Sequence, residues 1–491
     1  MGKKWLFLGV LMIFSFCCAS YGLGAETPSV KEPPLFVISQ YNLWGYIDIT
    51  GKVVIKPQFQ RALDFNEGLA LVKDYDEKTA SFKWGFIDQT GKAVIAPQFV
   101  DAYSFSNGLA AVNVGGEETE NEVVKGGKWG FIDRTGKFVV EPLYDKVEQF
   151  DQGVAKVCSG TQLGQYGNRV GGRWGLIDRK GKVIAPLVYD EIGSYTDGLA
   201  AVAVGGKPND SGDILGGKWG AIDISGKIVI KPRYSYLQVC GAGMALICVG
   251  GDPPETFSWS IENGKWGLIN KDGVVVIEPL YDELSYDSSD RLHPFRVKDR
   301  WGYLARDGKV IIKPIYAKAF PFSEGLAAVN LGGKEVDGKF SPGKWGFIDL
   351  QGQLVIEPRF DDFYPFSEGL AAVNIGAKPN DSGYMAGGKW GFINSKGQMV
   401  IKPVYSGFGY TSNGFKNGLI AVNLGGDSSE LGFVTGGKYG FLKANGQMLV
   451  EPIYDYCGNF QNGLAEIYIG KKMEKKGYVN LAGKVVWEPT Q

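Results

Sequence analysis

The fold class this sequence predicts is all-β and repetitive, and three observations predict it. The hexapeptide Lys-Trp-Gly-Phe-Ile-Asp is written unchanged at 83–88, 128–133 and 344–349. Trp-Gly recurs at Trp44, Trp84, Trp129, Trp174, Trp219, Trp266, Trp301, Trp345 and Trp390, Tyr439-Gly440 takes the next place, and a shortened last unit runs from Gly477 to Pro489. Glycine supplies 72 of 491 residues while aromatics stay at 13%, which signals many tight turns around apolar strands and not disorder. A period in the forties marks repeated supersecondary units.

Each unit divides into three strand-length segments. Segment A is Lys83-Trp-Gly-Phe-Ile-Asp88, and the connection Gln89-Thr90-Gly91, with glycine last, suits a hairpin whose left-handed position forms a bulge. Segment B runs from Lys92 to Phe99. Pro97 gives it no ladder donor there, so the strand should end or lie at a sheet edge. After Phe105-Ser106-Asn107-Gly108 comes segment C, Leu109 to Val114, and then a polar loop of variable length. All three are rich in β-branched and aromatic residues and bounded by turn formers, and no ten-residue stretch carries a helical period.

Apolar residues alternate onto both faces: Trp84 and Phe86 against Ile87, Val94 against Ile95, Ala111 against Val112. A sheet buried on two faces needs neighbours, which stacked units provide. The expectation is a row of three-stranded antiparallel meanders A–B–C in an open superhelical, solenoid-like array, with one or two β-propellers as the alternative. Eleven units exceed the four to eight blades of typical propellers. The Trp residues and Tyr439 are expected in the repeat core, and each neighbouring glycine is expected to make room for an aromatic ring of the next unit.

The Trp-Gly pair, the Asp-x-x-Gly-Lys turn, the Val-Ile-x-Pro-x-Tyr/Phe-Asp strand end and the Phe-x-x-Gly-Leu-Ala approach recur in this order from about 36 to 489. In these features the chain resembles the bacterial WG-repeat (KWG-repeat) proteins. The resemblance implies a repeat protein and no shared activity or catalytic residues. It weakens at 287–300, where Gly-Leu-Ala is missing and the unit shrinks.

The start of the chain, Met1-Gly2-Lys3-Lys4 and then an apolar run to Cys18 and small residues to Ala25, has the form of a secretory signal peptide over 1–25. The apolar run of roughly 14 residues is short for a permanent span, and Phe16 before Cys17 argues against a lipid anchor. A linker at 26–35 and an array at 36–491, with a kink or sub-boundary near 285–300, complete the division. The mature protein is expected outside the cytoplasm (periplasmic, at the cell surface or secreted) and not membrane-spanning. A net charge of −1 lends no support to a nucleic-acid partner.

Asp48, Asp88, Asp133, Asp178, Asp223 and Asp349 share one place before the hairpin glycine. Asn270, Asn394 and Asn480 fill that place elsewhere, as turn capping permits and carboxylate chemistry would not. His293 is the one histidine, expected half-exposed at a kink; no metal, cofactor or catalytic set is indicated. Cys158, Cys240, Cys248 and Cys457 show no CxxC spacing and are expected as buried thiols, Cys240 standing where other units carry an aromatic. Lys-Pro-Asn-Asp-Ser-Gly occurs at 207–212 and again at 378–383, which makes Asn209, Asp210, Asn380 and Asp381 candidate ligand contacts. Trp259, outside the Trp-Gly register, is the candidate exposed aromatic. The functional expectation is a non-enzymatic scaffold binding a protein or an envelope polymer, with a carbohydrate-binding repeat protein as the alternative.

Overall fold

A computed structural model describes residues 33–77, 79–119, 124–164, 169–252, 261–336, 339–341, 343–380, 385–409, 414–429, 433–470 and 473–490. The expected signal peptide therefore lies outside the described residues. Residues from Pro34 onward form one compact unit of strands, with no helix among the described residues.

Eleven small antiparallel sheets follow one another: Phe36–Phe59, Arg61–Phe99, Asp101–Tyr144, Lys146–Tyr189, Glu191–Tyr234, Tyr236–Tyr281, Glu283–Tyr316, Lys318–Phe360, Asp362–Tyr405, Gly407–Tyr454 and Tyr456–Thr490. We number them blades 1 to 11. Blade 3 shows the plan: a two-residue edge strand (Asp101–Ala102), a C strand (Ala110–Glu118), an A strand (Val124–Ile132) and a B strand (Phe138–Tyr144), hydrogen-bonded in that order. Asn113 faces Trp129, which faces Tyr144. The expected A–B–C meander is thus corrected: C pairs with the A strand that follows it, so one Trp-Gly unit is shared between two blades. A single residue separates the B strand of one blade from the edge strand of the next, so C is carried onto the neighbour.

The glycine of Trp-Gly answers to its own blade. In blade 2, Trp84 pairs with Phe99 and Phe86 with Ile95, so two extra residues of the B strand bulge out around Pro97. A Cβ on Gly85 would stand 2.7 Å from both the Ile95 carbonyl oxygen and the Pro97 nitrogen, and at all eleven equivalent glycines a B-strand backbone atom lies within 2.7 Å. The expectation that the glycine accommodates a neighbour's ring is therefore overturned: the space is taken by the proline bulge, which links the Trp-Gly and Ile-x-Pro motifs. Ile95 is buried while Val94 is 42% exposed, so the B strand is covered on one side only, as an edge strand can be.

The array closes on itself, and the expected open stack gives way to a single eleven-bladed β-propeller. Ile38 and Ile47 of blade 1 and Leu464 and Tyr478 of blade 11 form one apolar cluster, with Phe36 and Tyr478 rings 5.8 Å apart. An open array needs polar terminal caps; blades 1 and 11 instead carry the same apolar faces as the rest. A wide ring requires neighbouring sheets to lie close to parallel. The buried alanine pairs Ala110-Ala111, Ala200-Ala201, Ala327-Ala328 and Ala371-Ala372 permit that close approach.

Blade 1 has three strands, with no edge strand among the described residues. In blade 3 the edge segment donates N–H bonds to the carbonyls of Asn113 and Ala111, whose register partners in blade 1 are Ser39 and Val37. Those two carbonyls accept instead from Thr490 Oγ1 and Tyr478 Oη of blade 11, each at 2.8 Å. Two hydroxyls take the place of a strand.

Gly130→Ala should lower stability by about 3 kcal/mol or more, because backbone must move at the bulge. Gly193→Ala, whose Cβ would find its nearest neighbour at 3.6 Å, should stay within about 0.5 kcal/mol of wild type; urea denaturation of both variants checks this. Tyr478→Phe combined with Thr490→Val should cost about 1–3 kcal/mol per uncapped carbonyl. In the same urea denaturation experiment Tyr405→Phe, whose hydroxyl meets Met448 Sδ at 3.9 Å, should be close to neutral.

Candidate functional site

The repeated residues are spent on the ring. Trp129, Trp219, Trp345 and Tyr439 are buried, and Trp44, Trp84, Trp174, Trp266, Trp301 and Trp390 are half-buried. In most blades a buried ring stands two residues later and meets a phenylalanine of the next blade, while blades 4, 5 and 6 carry Leu176, Ala221 and Leu268 there. Tyr46–Phe65, Phe86–Phe105, Phe131–Phe150, Phe347–Phe366, Phe392–Phe415 and Phe441–Phe460 have centroids 4.8 to 5.2 Å apart. The indoles lie nearer the rim of each interface, and an aromatic of the edge segment usually covers them: Tyr103 stacks on Trp129 at 4.9 Å, Phe320 packs on Trp345 at 5.4 Å, and Tyr364 on Trp390 at 5.2 Å.

The six turn aspartates bond within their own hairpins. Asp88 Oδ1 accepts from Thr90 N, Thr90 Oγ1 and Lys92 N at 2.9, 2.6 and 3.1 Å, and Asp48 and Asp133 repeat the pattern. Asp178, Asp223 and Asp349 accept the same two backbone donors. Asn270, Asn394 and Asn480 do so through Oδ1. The threonine hydroxyl holds the Asp48, Asp88 and Asp133 carboxyls below their ordinary range.

A second aspartate, not singled out in the sequence, joins blades. Asp145 is the single residue between blades 3 and 4. It accepts from Lys128 Nζ of blade 3 at 2.6 Å and from Thr161 N of blade 4 at 3.0 Å. Burial pushes its carboxyl up, but the bonds from Lys128 and Thr161 more than offset that and hold it below the usual value. Asp282 and Asp455 repeat the contact with Lys265 and Lys438 at 2.5 and 2.6 Å, and Asp361 repeats it with Lys344. The lysine of Lys-Trp-Gly and the aspartate seventeen residues later were legible as motif letters; only the ring shows them as one clamp.

Of the candidate contacts, Asn209 folds back on its own loop, Oδ1 accepting from Asp213 N at 2.9 Å and Nδ2 donating to Asp213 Oδ2 at 3.1 Å. Asp210 lies in the same loop, in blade 5. Asn380 follows the C strand of blade 9, while Asp381 and Trp259 lie outside the described residues. Cys158, Cys240, Cys248 and Cys457 are free thiols. Burial pushes Cys158 and Cys248 up to about 11 and Cys240 to about 12. Among the described residues no group of three or more His, Cys, Asp or Glu is placed to hold a metal ion.

The interface between blades 4 and 5 opens into a cleft of about 390 Å³. Trp174, Lys146, Glu148 and Lys156 line it from blade 4, and Glu191 and Asp213 from blade 5. Lys156, 9% exposed, donates to the Ile192 carbonyl at 3.1 Å and pairs with Glu148. Burial raises the Glu191 carboxyl against the pull of Lys156. Sequence reasoning missed this place, although a signal existed: Lys156 stands where Ala111, Ala201, Ala328, Ala372 and Ala421 stand in other blades. A second cleft of about 490 Å³, between blades 2 and 3, is lined by Lys73, Phe82, Lys83, Glu117 and Glu118.

With this geometry in hand, the repeat can be compared with known proteins. The model of the WG containing repeat matches residues 44–78, 84–117, 129–160, 174–207, 219–251, 266–292, 301–334, 345–378, 390–426 and 439–472, well over half of the chain. The chain belongs to the WG containing repeat family. Its matched segments begin at each Trp-Gly (Tyr-Gly in the last) and so straddle successive blades. No curated protein sequence matches the chain. Among solved structures it is similar to the crystal structure of the eukaryotic initiation factor, with 9% identity and a TM-score of 0.34 over 75% of this chain and 95% of that one. It is also similar to apo AztD from Citrobacter koseri, with 13% identity and a TM-score of 0.25 over 61% and 81%. The β-propeller domain of the Trilobed protease from Pyrococcus furiosus gives 12% and 0.25 over 62% and 99%. Likeness this distant carries no activity to this WG-repeat chain.

His293 corrects an expectation. It lies in the C strand of blade 7 (Leu292–Val297) and is fully buried, with neither ring nitrogen bonded and Tyr286 stacked on it at 4.3 Å. It stands in the register place of Ala110, which faces the interior of every interface, so shortening the unit does not expose it. Burial, and then Arg306, push its pKa down to about 4. A depressed histidine contributes stability that is present above its unfolded value of ~6.5 and is lost as pH falls through about 4. His293→Leu should therefore lose less stability than wild type between pH 7 and pH 4, by roughly 1–3 kcal/mol, as read from urea denaturation at both pH values.

Proposed function

We propose that this chain is an exported, non-enzymatic bacterial scaffold that binds a protein or a cell-envelope polymer over the rim of its ring. One observation carries the reading: the repeated motif residues are bonded or packed within and between blades, which leaves recognition to the features that differ from blade to blade. These are the hairpins joining C and A strands. They extend into additional two-stranded ribbons in blades 5, 8 and 10 and into long continuous strands in blades 4 and 9. Loops carried on a rigid frame are where binding concentrates. No helix among the described residues is long and apolar enough to cross a membrane. Export is supported by the basic start and apolar run of the first 25 residues.

A carbohydrate-binding role is the second reading, favoured by the half-buried Trp174 in a polar cleft. The test is retention of envelope and extract components on immobilised protein from residue 26 onward, identified by mass spectrometry. A specific component should be retained, and shortening the blade 5 and blade 10 hairpins to the length of blade 7 should release it. Retention of nothing, or retention indifferent to every hairpin, removes the scaffold reading.

A further inference from the structure

Blade 4 departs in two places from blades 3, 8 and 9, and both departures face one cleft. In blades 3, 8 and 9 the residue one place beyond the paired edge dipeptide is Tyr103, Phe320 or Tyr364, and it packs on the indole of its own blade. The register partner in blade 4 is Glu148, whose N–H bonds the Lys156 carbonyl as that of Tyr103 bonds Ala111 and that of Tyr364 bonds Ala372. Leu63, Gly193, Gln238, Ser285, Gly409 and Gly458 are likewise not aromatic in this place, but Glu148 puts a carboxylate there, and Trp174 has no ring partner among the described residues. The second departure is Lys156, a nearly buried cation in an alanine position, held by Glu148 and the Ile192 carbonyl. Compared with the aromatic cover and alanine of blades 3, 8 and 9, an ion pair lowers the apolar burial of the interface. The result is an indole bordering a cleft of about 390 Å³, within the ~300–1,000 Å³ of small-ligand sites.

The lining selects a ligand class. It combines acceptors (Glu148, Glu191, Asp213) with ammonium donors (Lys146, Lys156) around one aromatic surface. Asp190 also lines the cleft but is paired with Arg173, which leaves one carboxylate in excess, so an anionic ligand finds no net attraction. A pyranose ring suits such a lining: its C–H face packs on an indole, and its hydroxyls both donate to carboxylates and accept from ammonium groups. We propose that the cleft between blades 4 and 5 is a saccharide-binding site in which Trp174 is the stacking platform and Glu148, Lys156 and Glu191 orient the hydroxyls. The proposal rests on the binding-scaffold reading and names the polymer chemistry it would grip.

The test uses the chain from residue 26 onward, titrated with cellotetraose and with chitotetraose by calorimetry and tryptophan fluorescence. At least one of the two should bind saturably and change the emission. Lys156→Ala installs the residue that five other blades carry in that place, and Glu148→Tyr restores the aromatic cover of blade 3, so both have precedents within the fold. Each should weaken binding by about tenfold or more while the melting temperature holds or rises, and Trp301→Ala, in blade 7, should leave affinity unchanged. Binding of neither sugar at millimolar concentration overturns the proposal, as does affinity indifferent to Glu148→Tyr. If the retained component of the scaffold experiment still binds the Glu148→Tyr variant, the saccharide site falls and the scaffold stands; if wild type retains nothing, the scaffold falls by itself.

Discussion

A pair of aromatic rings across seven of the eleven blade interfaces is the repeated contact around which the ring is built. In these seven the buried ring two residues after the Trp-Gly aromatic meets the phenylalanine ahead of the next blade's turn, with centroids 4.8 to 5.2 Å apart, whereas blades 4, 5 and 6 carry Leu176, Ala221 and Leu268 in that place. Such pairs add about 0.5–1.5 kcal/mol beyond the area they bury. Their greater importance is geometric, because they hold neighbouring sheets at a near-constant spacing over most of the circle. Where one partner changes, the other elements compensate: Tyr303 bonds the Phe320 carbonyl as well as facing Phe322 at 5.0 Å.

Around that contact the motif letters sort into local and bridging roles. Glycine and proline belong to one bulge inside a blade. The turn aspartate belongs to one hairpin. The lysine of Lys-Trp-Gly and the aspartate after the B strand belong to two blades at once, with Asp145 buried between Lys128 and the Thr161 amide. Exposed ion pairs contribute little; here the carboxylate also belongs to the single residue that connects the two sheets along the chain, so its bonds help to fix the angle at which one blade leaves another.

Much of this was legible in the chain. The period, the strand lengths, the edge position of the proline strand and the hairpin with Gly91 at φ 85° follow from local chemistry, and local chemistry is what a sequence states directly. Closure was not legible, since it depends on a small angle accumulated over eleven interfaces and on Tyr478 finding Val37 more than four hundred residues away. The phase of the blades was hidden for a related reason: the residues between C and the next A vary in length, so the repeat frame is easiest to draw at a break that the hydrogen bonds ignore. The cleft at Trp174 was partly legible, because Lys156 stands where five other blades carry alanine, but its meeting with Glu148 and Trp174 appears only in the folded ring.

The hydroxyl latch between blades 11 and 1 has a consequence of its own. Ser39 and Thr490 touch, so the circle begins and finishes at the same point on its circumference. The first and last strands are therefore neighbours on that circumference. The same adjacency means that the order of neighbours is circular and not linear: sewing these ends together and cutting between any other two sheets would leave every blade with the companions it has now.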